Sequence, residues 1–315
     1  MTIEVDPETQ MKDADDIADM LERNIKKRLK NVTHITIELQ AHDAEDNWEE
    51  KFGKIISEGI DIGAIDCNAD SIAFALEKGW ISSGRADTDG EYIGKFDLIV
   101  FALYPHIFID WIKQNQRFIR PGALLTDVTG VKCSVVYEVQ RLLRSDLEFI
   151  GAHPMAGREV SGVRNAKKEI FTDANYIVTP TESNTLEAIA ACKALGRAIG
   201  FKNISTLTPE KHDEIVGFLS HLTHCIAVAL MISKESEHMC EYTGDSFRDL
   251  TRIAKINDVM WSELFMLNKT ELLAQMKLFE AAFDRLRISI EQDDTDALRE
   301  MMRLSAKRRE YFDIK

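Results

Sequence analysis

Glycine is missing from the start of the sequence: the first in the chain is Gly53, and no two of the 16 glycines stand two positions apart. A G-x-G-x-x-G turn, whose bare backbone lets a pyrophosphate approach a helix start, is therefore excluded anywhere in the sequence. Cysteine is sparse. Cys67, Cys133, Cys192, Cys225 and Cys240 are scattered, odd in number and contain no C-x-x-C pair. This excludes a spacing-coded zinc or redox motif and reads as free thiols in a reducing cytoplasm. No apolar run approaches the roughly 20 residues of a membrane span. The opening stretch MTIEVDPETQMKDADD lacks the basic-then-apolar order of a secretory signal. Basic charge is in deficit: 39 Lys and Arg face 53 Asp and Glu, a net of −14. That argues against nucleic acid as a partner.

What is present is the composition of an ordinary soluble protein, 45% apolar and 29% charged. At 315 residues the chain suits two domains. The charge is uneven: residues 1–50 hold 14 acids and 6 bases, −8 of the total. The basic cluster RNIKKRLK inside that stretch reads as a solvated helix face. Apolar residues from Met11 to Leu29 recur at helical spacing. HITIEL (34–39) alternates and is β-branched, as in a strand, and a helix is expected from about Asp46 to Glu58. IDIGAID is a strand and NADSIAFALEKG a helix with an Asn or Asp start and a Gly stop. FDLIVFAL is an almost unbroken apolar run, as in a strand covered on both faces. HIFIDWIKQNQRFI, SVVYEVQRLL and NTLEAIAACKALGRAIG read as helices, and PGALLTDV, LEFIGAHP, NYIVTPT and KNISTLT contribute strands. Alternation of strand and helix over about 150 residues implies βαβ units and a doubly wound parallel sheet. From PEKHDEIVGFL onward the chain reads as helical. The expected division is an acidic helical extension (1–30), a Rossmann-like domain (31–180) and an all-helical domain (181–315). No repeat or low-complexity linker is present.

Several short stretches have the residue types of a site. Asp66 ends the second strand of the expected sheet, where an acid accepts hydrogen bonds from a ribose, although an Asp at a strand end is also common in plain turns. ALYP (102–105) and TDVTGVK (126–132) each follow a buried strand, at the carboxyl edge where open α/β sheets bind ligands. GAHPMAGREVSG (151–162) puts a histidine directly after a strand, followed by a loop with two glycines and an acid. A neutral imidazole there can take a proton from a substrate hydroxyl near neutral pH. In SHLTH, Ser220 and His224 are four apart and share a helix face. His221 and Cys225 share another, but no third ligand recurs, so a metal site is not expected. Arg248, Arg252 and Lys255 fall on one face of GDSFRDLTRIAKINDVMW, which opens with a capping-box signature. Such a cationic stripe suits a carboxylate ligand, although pairing with Asp245, Asp249 and Asp258 would make it an ordinary solvated face.

Taken together, GAIDCN, ALYP, TDVTGVK, HPMAGREVSG, NYIVTPT, SHLTH, GDSFRDLTRIAK and MWSELFMLNK resemble, in this order, the prephenate dehydrogenase family over about four-fifths of the chain. The resemblance implies a Rossmann domain followed by an all-helical domain that builds a homodimer. It also implies oxidative decarboxylation of prephenate to 4-hydroxyphenylpyruvate with hydride transfer to NAD+, in tyrosine biosynthesis. By motif, His153 would receive the proton of the C4 hydroxyl, with Thr129 and Gly130 beside it. Arg252 would grip a substrate carboxylate. Ser220, His224, Glu159 and Trp261 would complete the substrate contacts. Asp66, Leu103, Tyr104, Pro105 and Asp127 would line the cofactor.

Two positions depart from the family. Many members have serine where this chain has Gly130. The family's glycine-rich first turn is replaced here by AHDAED (41–46), whose Asp43, Glu45 and Asp46 favour the start of a helix but oppose a pyrophosphate. Three alternatives follow. The chain is a silent family member that binds prephenate or tyrosine and holds dinucleotide poorly; or the segment up to Glu50 replaces the family's start; or its substrate is arogenate, which differs from prephenate only at the side-chain carbon bearing oxo or amino.

Overall fold

The computed structural model describes residues 2–5, 38–41, 61–157, 160, 162–235 and 237–313. The helices expected at 10–30 and 46–58, the turn at 42–46 and Glu159 lie outside the described residues. Two compact units are formed: residues 1–213 with 255–267, and residues 214–254 with 268–315.

The first unit is built on a five-stranded sheet. Its strands in order are β5 (Leu98–Phe101), β6 (Leu124–Asp127), β7 (Glu148–Pro154), β8 (Asn175–Thr179) and β9 (Asn203–Thr206). Neighbours run parallel except β7 and β8, which are antiparallel. Strands β3 (Gly63–Ile65) and β4 (Ser83–Arg85) form a separate parallel pair, as do β1 (Thr2–Val5) and β2 (Glu38–Ala41). Of HITIEL, Glu38 and Leu39 fall in β2, paired with β1, and the rest lies outside the described residues.

Helices α1 (Ala69–Glu77) and α2 (Gly90–Ile93) precede β5, and α1 is capped by the Asn68 side chain on the Asp70 N–H. Helix α3 (Pro105–Asn115) starts with proline, whose missing N–H costs nothing in a first turn. With α4 (Cys133–Leu142) it covers one face of the sheet: Phe108, Ile112, Val135, Val136 and Val139 close over Phe101, Leu125 and Phe149. Strand period sends Ile150 and Ala152 to the other face. There they pack with Tyr176, Val178 and with Ile189 and Cys192 of α5 (Leu186–Ile199). Helices therefore lie on both faces, the doubly wound Rossmann-like arrangement.

The structure moves the boundary expected at 180. Strand β9 is laddered to β8 and α5 packs on the sheet, so the first unit continues to Asp213. Residues 255–267, expected in the helical domain, also belong to it. Leu264 is buried in the sheet's core with Trp261 against it, and the Glu263 carboxylate accepts from the His106 backbone N–H at 2.8 Å.

Helix α6 (Pro209–Val216) opens a continuous helical run to Ile232. After a π-turn over Gly217–Leu222 it becomes α7 (Thr223–Ile232). By length and composition this 24-residue run could cross a bilayer, contrary to the expectation from apolar runs alone. Some of its polar side chains are bonded to protein groups: Asp213 to Lys132 and Cys133, His221 to Asn268. The second unit continues with α8 (Asp245–Thr251), and after α9 (Asp258–Leu267) of the first unit come α10 (Lys269–Glu291) and α11 (Thr295–Arg309). The described part of this unit is helical, as expected.

Candidate functional site

Strand β7 outruns β6. Its ladder to β6 ends at Ile150, while Gly151 to Pro154 pair only with β8, which leaves His153 at the carboxyl edge. Behind it stands a line of three groups. His153 Nδ1 lies 2.8 Å from His212 Nε2, and His212 Nδ1 lies 2.8 Å from Asp213 Oδ1. Asp213 also accepts the backbone N–H groups of Lys132 at 2.8 Å and Cys133 at 2.9 Å, at the start of α4, where a helix favours negative charge. Burial alone would raise the Asp213 pKa; the His212 bond and the two N–H donors outweigh it and hold the carboxyl below its ordinary range. His212 is fully buried, and that burial lowers its pKa against the opposing pull of Asp213.

The tautomers follow from these partners. An ionised Asp213 accepts, so His212 presents Nδ1–H to it and a bare Nε2 to His153. His153 donates from Nδ1, which leaves its own Nε2 as a proton acceptor. Such an arrangement can orient a histidine as a base through a second histidine and a carboxylate.

A second buried network supports this one. Lys132 and Asp127 have fully buried side chains, 2.7 Å apart. Asp127 further accepts the Ala152 N–H at 3.0 Å, the Thr129 N–H at 3.0 Å and the Thr129 hydroxyl. Burial pulls the Lys132 pKa down, opposed by the Asp127 charge. Two expectations are corrected here. Asp127 has its carboxylate committed inside the protein, so it braces β7 next to His153 and does not line a cofactor. Thr129 points inward, bonded to Asp127 and the Val131 carbonyl, and is no catalytic hydroxyl. Gly130 stays next to the base: a Cβ there would sit 3.6 Å from Leu264 and 3.9 Å from His153 Cε1.

Of the remaining residues of the first unit, Asp66 is exposed just past β3, its Oδ1 accepting the Asn68 N–H at 2.8 Å. Leu103 and Tyr104 are exposed past β5, with the Tyr104 hydroxyl accepting from Asn257 at 3.3 Å; Pro105 is buried in the first turn of α3. Trp261 packs on the sheet core with its ring 5.5 Å from Phe265. In the second unit, His224 Nδ1 meets the Ser220 carbonyl at 2.8 Å, one turn away, which fixes the imidazole on that helix. Arg252 is exposed in a short 3-10 turn after α8, and Arg248 is drawn off to Asp245 and the Thr243 carbonyl. The stripe read from the sequence is therefore reduced. Among the described residues no group of three or more His, Cys, Asp or Glu could hold a metal.

His212 and Asp213 went unnoticed in the sequence. Their only signal was an adjacent His-Asp pair in the charged first turn of an apolar helix, which reads as solvated until the fold turns it inward.

Residues 54–204 match the family description "Prephenate dehydrogenase, nucleotide-binding domain", and residues 208–304 match "Prephenate dehydrogenase, dimerization domain". The prephenate dehydrogenase of Bacillus subtilis is 33% identical over 180 residues, 56% of this chain and 48% of that protein. The chain thus aligns with about half the length of this relative. The cyclohexadienyl dehydrogenase of Zymomonas mobilis is 32% identical over 197 residues, covering 61% of this chain and 67% of that protein. Among solved structures, prephenate dehydrogenase from A. aeolicus in complex with hydroxyphenyl propionate and NAD+ superposes with a TM-score of 0.72 at 26% identity, over 85% of this chain and 94% of that one. The two matched domains, in this order and over these residues, establish that the chain belongs to the prephenate dehydrogenase family.

Proposed function

We propose that this chain catalyses the oxidative decarboxylation of prephenate to 4-hydroxyphenylpyruvate with NAD+ as hydride acceptor, in cytoplasmic tyrosine biosynthesis. The observation that carries the proposal is the His153–His212–Asp213 line at the carboxyl edge of the sheet. The substrate must lose the proton of its C4 hydroxyl as hydride leaves C4. His153 Nε2 takes that proton, and the imidazolium formed is held by His212 and balanced by Asp213. The C1 carboxyl then leaves as CO2, its bonding electrons complete the aromatic ring, and His153 returns the proton to the phenol oxygen. A bound nicotinamide supplies the hydride acceptor. Positioned proton transfer of this kind contributes roughly 10²–10⁴ in rate.

The remaining substrate contacts rest on the family motif. Arg252 would hold a carboxylate, with His224, Ser220, Glu159 and Trp261 completing the pocket. The match of residues 208–304 to a dimerisation domain supports a homodimer through the helical unit.

The test is to follow NADH formation with prephenate. Replacing His153 by alanine is expected to lower kcat by roughly 10²–10⁴ while prephenate binding persists. Arg252→Ala is expected chiefly to raise KM. Unchanged kinetics in His153→Ala would overturn the role given to that residue.

A further inference from the structure

In a Rossmann sheet of strand order 3-2-1-4-5-6, the pyrophosphate lies on the turn after strand 1, and strand 1 sits between strands 2 and 4. Here β4 and β3 take the places of strands 3 and 2, and β5, β6 and β7 those of strands 4, 5 and 6. We propose that β1 and β2 pair with each other instead of supplying strand 1, so that this chain grips NAD+ at its adenosine end and not at its pyrophosphate. The inference rests on the function proposed above and concerns the cofactor alone.

Four observations carry it. The segment preceding the expected cofactor turn, β2, is laddered to β1 in parallel register, Thr2 to Glu38 through Val5 to Ala41. Two parallel strands need a crossover of a dozen residues or more, usually a helix. The stretch between Val5 and Glu38 provides the length, and its Met11–Leu29 portion has helical spacing. Second, among the described residues no strand lies between β3 and β5. A cleft of about 1940 Å³ borders both, lined by Gly63, Gly84, Phe96, Val100, Thr126 and Cys192. Third, Val100 is 45% exposed in the middle of an apolar run that should be covered on both faces. Among the described residues, strand β5 is laddered on one side only, by β6. Fourth, the residues after β2 contain no glycine before Gly53 and carry Asp43, Glu45 and Asp46. The family's nucleotide-binding match itself begins at residue 54.

The parts that remain are the exposed Asp66 for the adenosine ribose and the His153 edge for the substrate. A dinucleotide held this way should bind little better than its adenosine end.

Calorimetry on the full chain separates this inference from the function it rests on. Prephenate is titrated first; its failure to bind would sink the proposed function without touching the cofactor comparison. NAD+ and adenosine are then titrated in parallel. Affinities within about tenfold of each other, or an NAD+ affinity weaker than millimolar, support the inference. NAD+ binding more than about tenfold tighter than adenosine overturns it. A second arm uses Asp43→Gly with Glu45→Gly, which restores two glycines at the fingerprint spacing. If strand 1 is not supplied from this segment, NAD+ affinity stays unchanged. A gain of about tenfold or more would show that the turn already sits at the sheet and lacked only its glycines.

Discussion

Lys132 and Asp127 bring opposite charges to full burial beside the candidate base. Such a pair is costly to break and cheaper to replace whole, because a single truncation strands a charge in a low-dielectric interior. Lys132→Met is expected to lower stability by about 3–5 kcal/mol in urea unfolding, and the double change with Asp127→Asn to recover part of that loss. Gly130 makes the opposite case. Its missing side chain leaves room at ordinary contact distance from Leu264 and His153. Gly130→Ser is expected to fold with a change of less than about 1 kcal/mol and to place a hydroxyl beside the imidazole. A thermal melt and a pH–rate profile would check both parts; a collapse of Tm would show that the space is not there. At this scale the sequence was legible where a motif has one chemical use, as with His153. It misled where small polar residues follow a strand. Thr129 and Asp127 lie in the turn expected to face a ligand, and only the lysine three to five positions on decides that they face inward.

Helix α6 holds its His-Asp pair inside the protein, which makes the element sensitive to acid. Burial keeps the His212 pKa below its ordinary 6.5, so on acidification the unfolded chain takes up the proton first. The full stability is present above that ordinary value and is lost progressively as pH falls from there toward the folded value. Asp213, also lowered, adds a loss only below its own ordinary 3.8. The urea midpoint is therefore expected to fall between about pH 7 and pH 5, and His212→Gln to flatten that slope. A slope unchanged in the variant would place the acid sensitivity elsewhere. Helix α9 is tied down by Glu263, whose carboxylate meets both the backbone N–H and the ring Nδ1 of His106, each at 2.8 Å. Glu263→Ala removes an acceptor from the first turn of α3, a change expected to cost about 0.5–2 kcal/mol in the same measurement. The strands β5 to β7 and the helices between them could be read from period and length alone. The reversed direction of β8 could not, since an apolar run has the same pattern either way. The boundary at 180 failed for a related reason: a proline and a helix look the same whether the chain is leaving the sheet or returning to it.

At the scale of the molecule, length suggested two domains, and the chain divides into two compact units. Length did not indicate how the chain is divided. The first unit takes residues 1–213, gives up the chain over 214–254 and recovers it for 255–267. No local pattern marks this, because an apolar helix has the same spacing whichever core it enters. Leu264 and its neighbours are needed to close the face formed by Phe101, Phe108 and Phe149. During synthesis the part of that face left open by α3 and α4 is closed only once residue 267 has left the ribosome, well after the last strand is made. A chain stopped at residue 254 is expected to bind a hydrophobic dye and to aggregate, whereas the full chain should not. The sheet is thus finished by a segment made long after its final strand, and the nascent protein depends on the pause between the two being short.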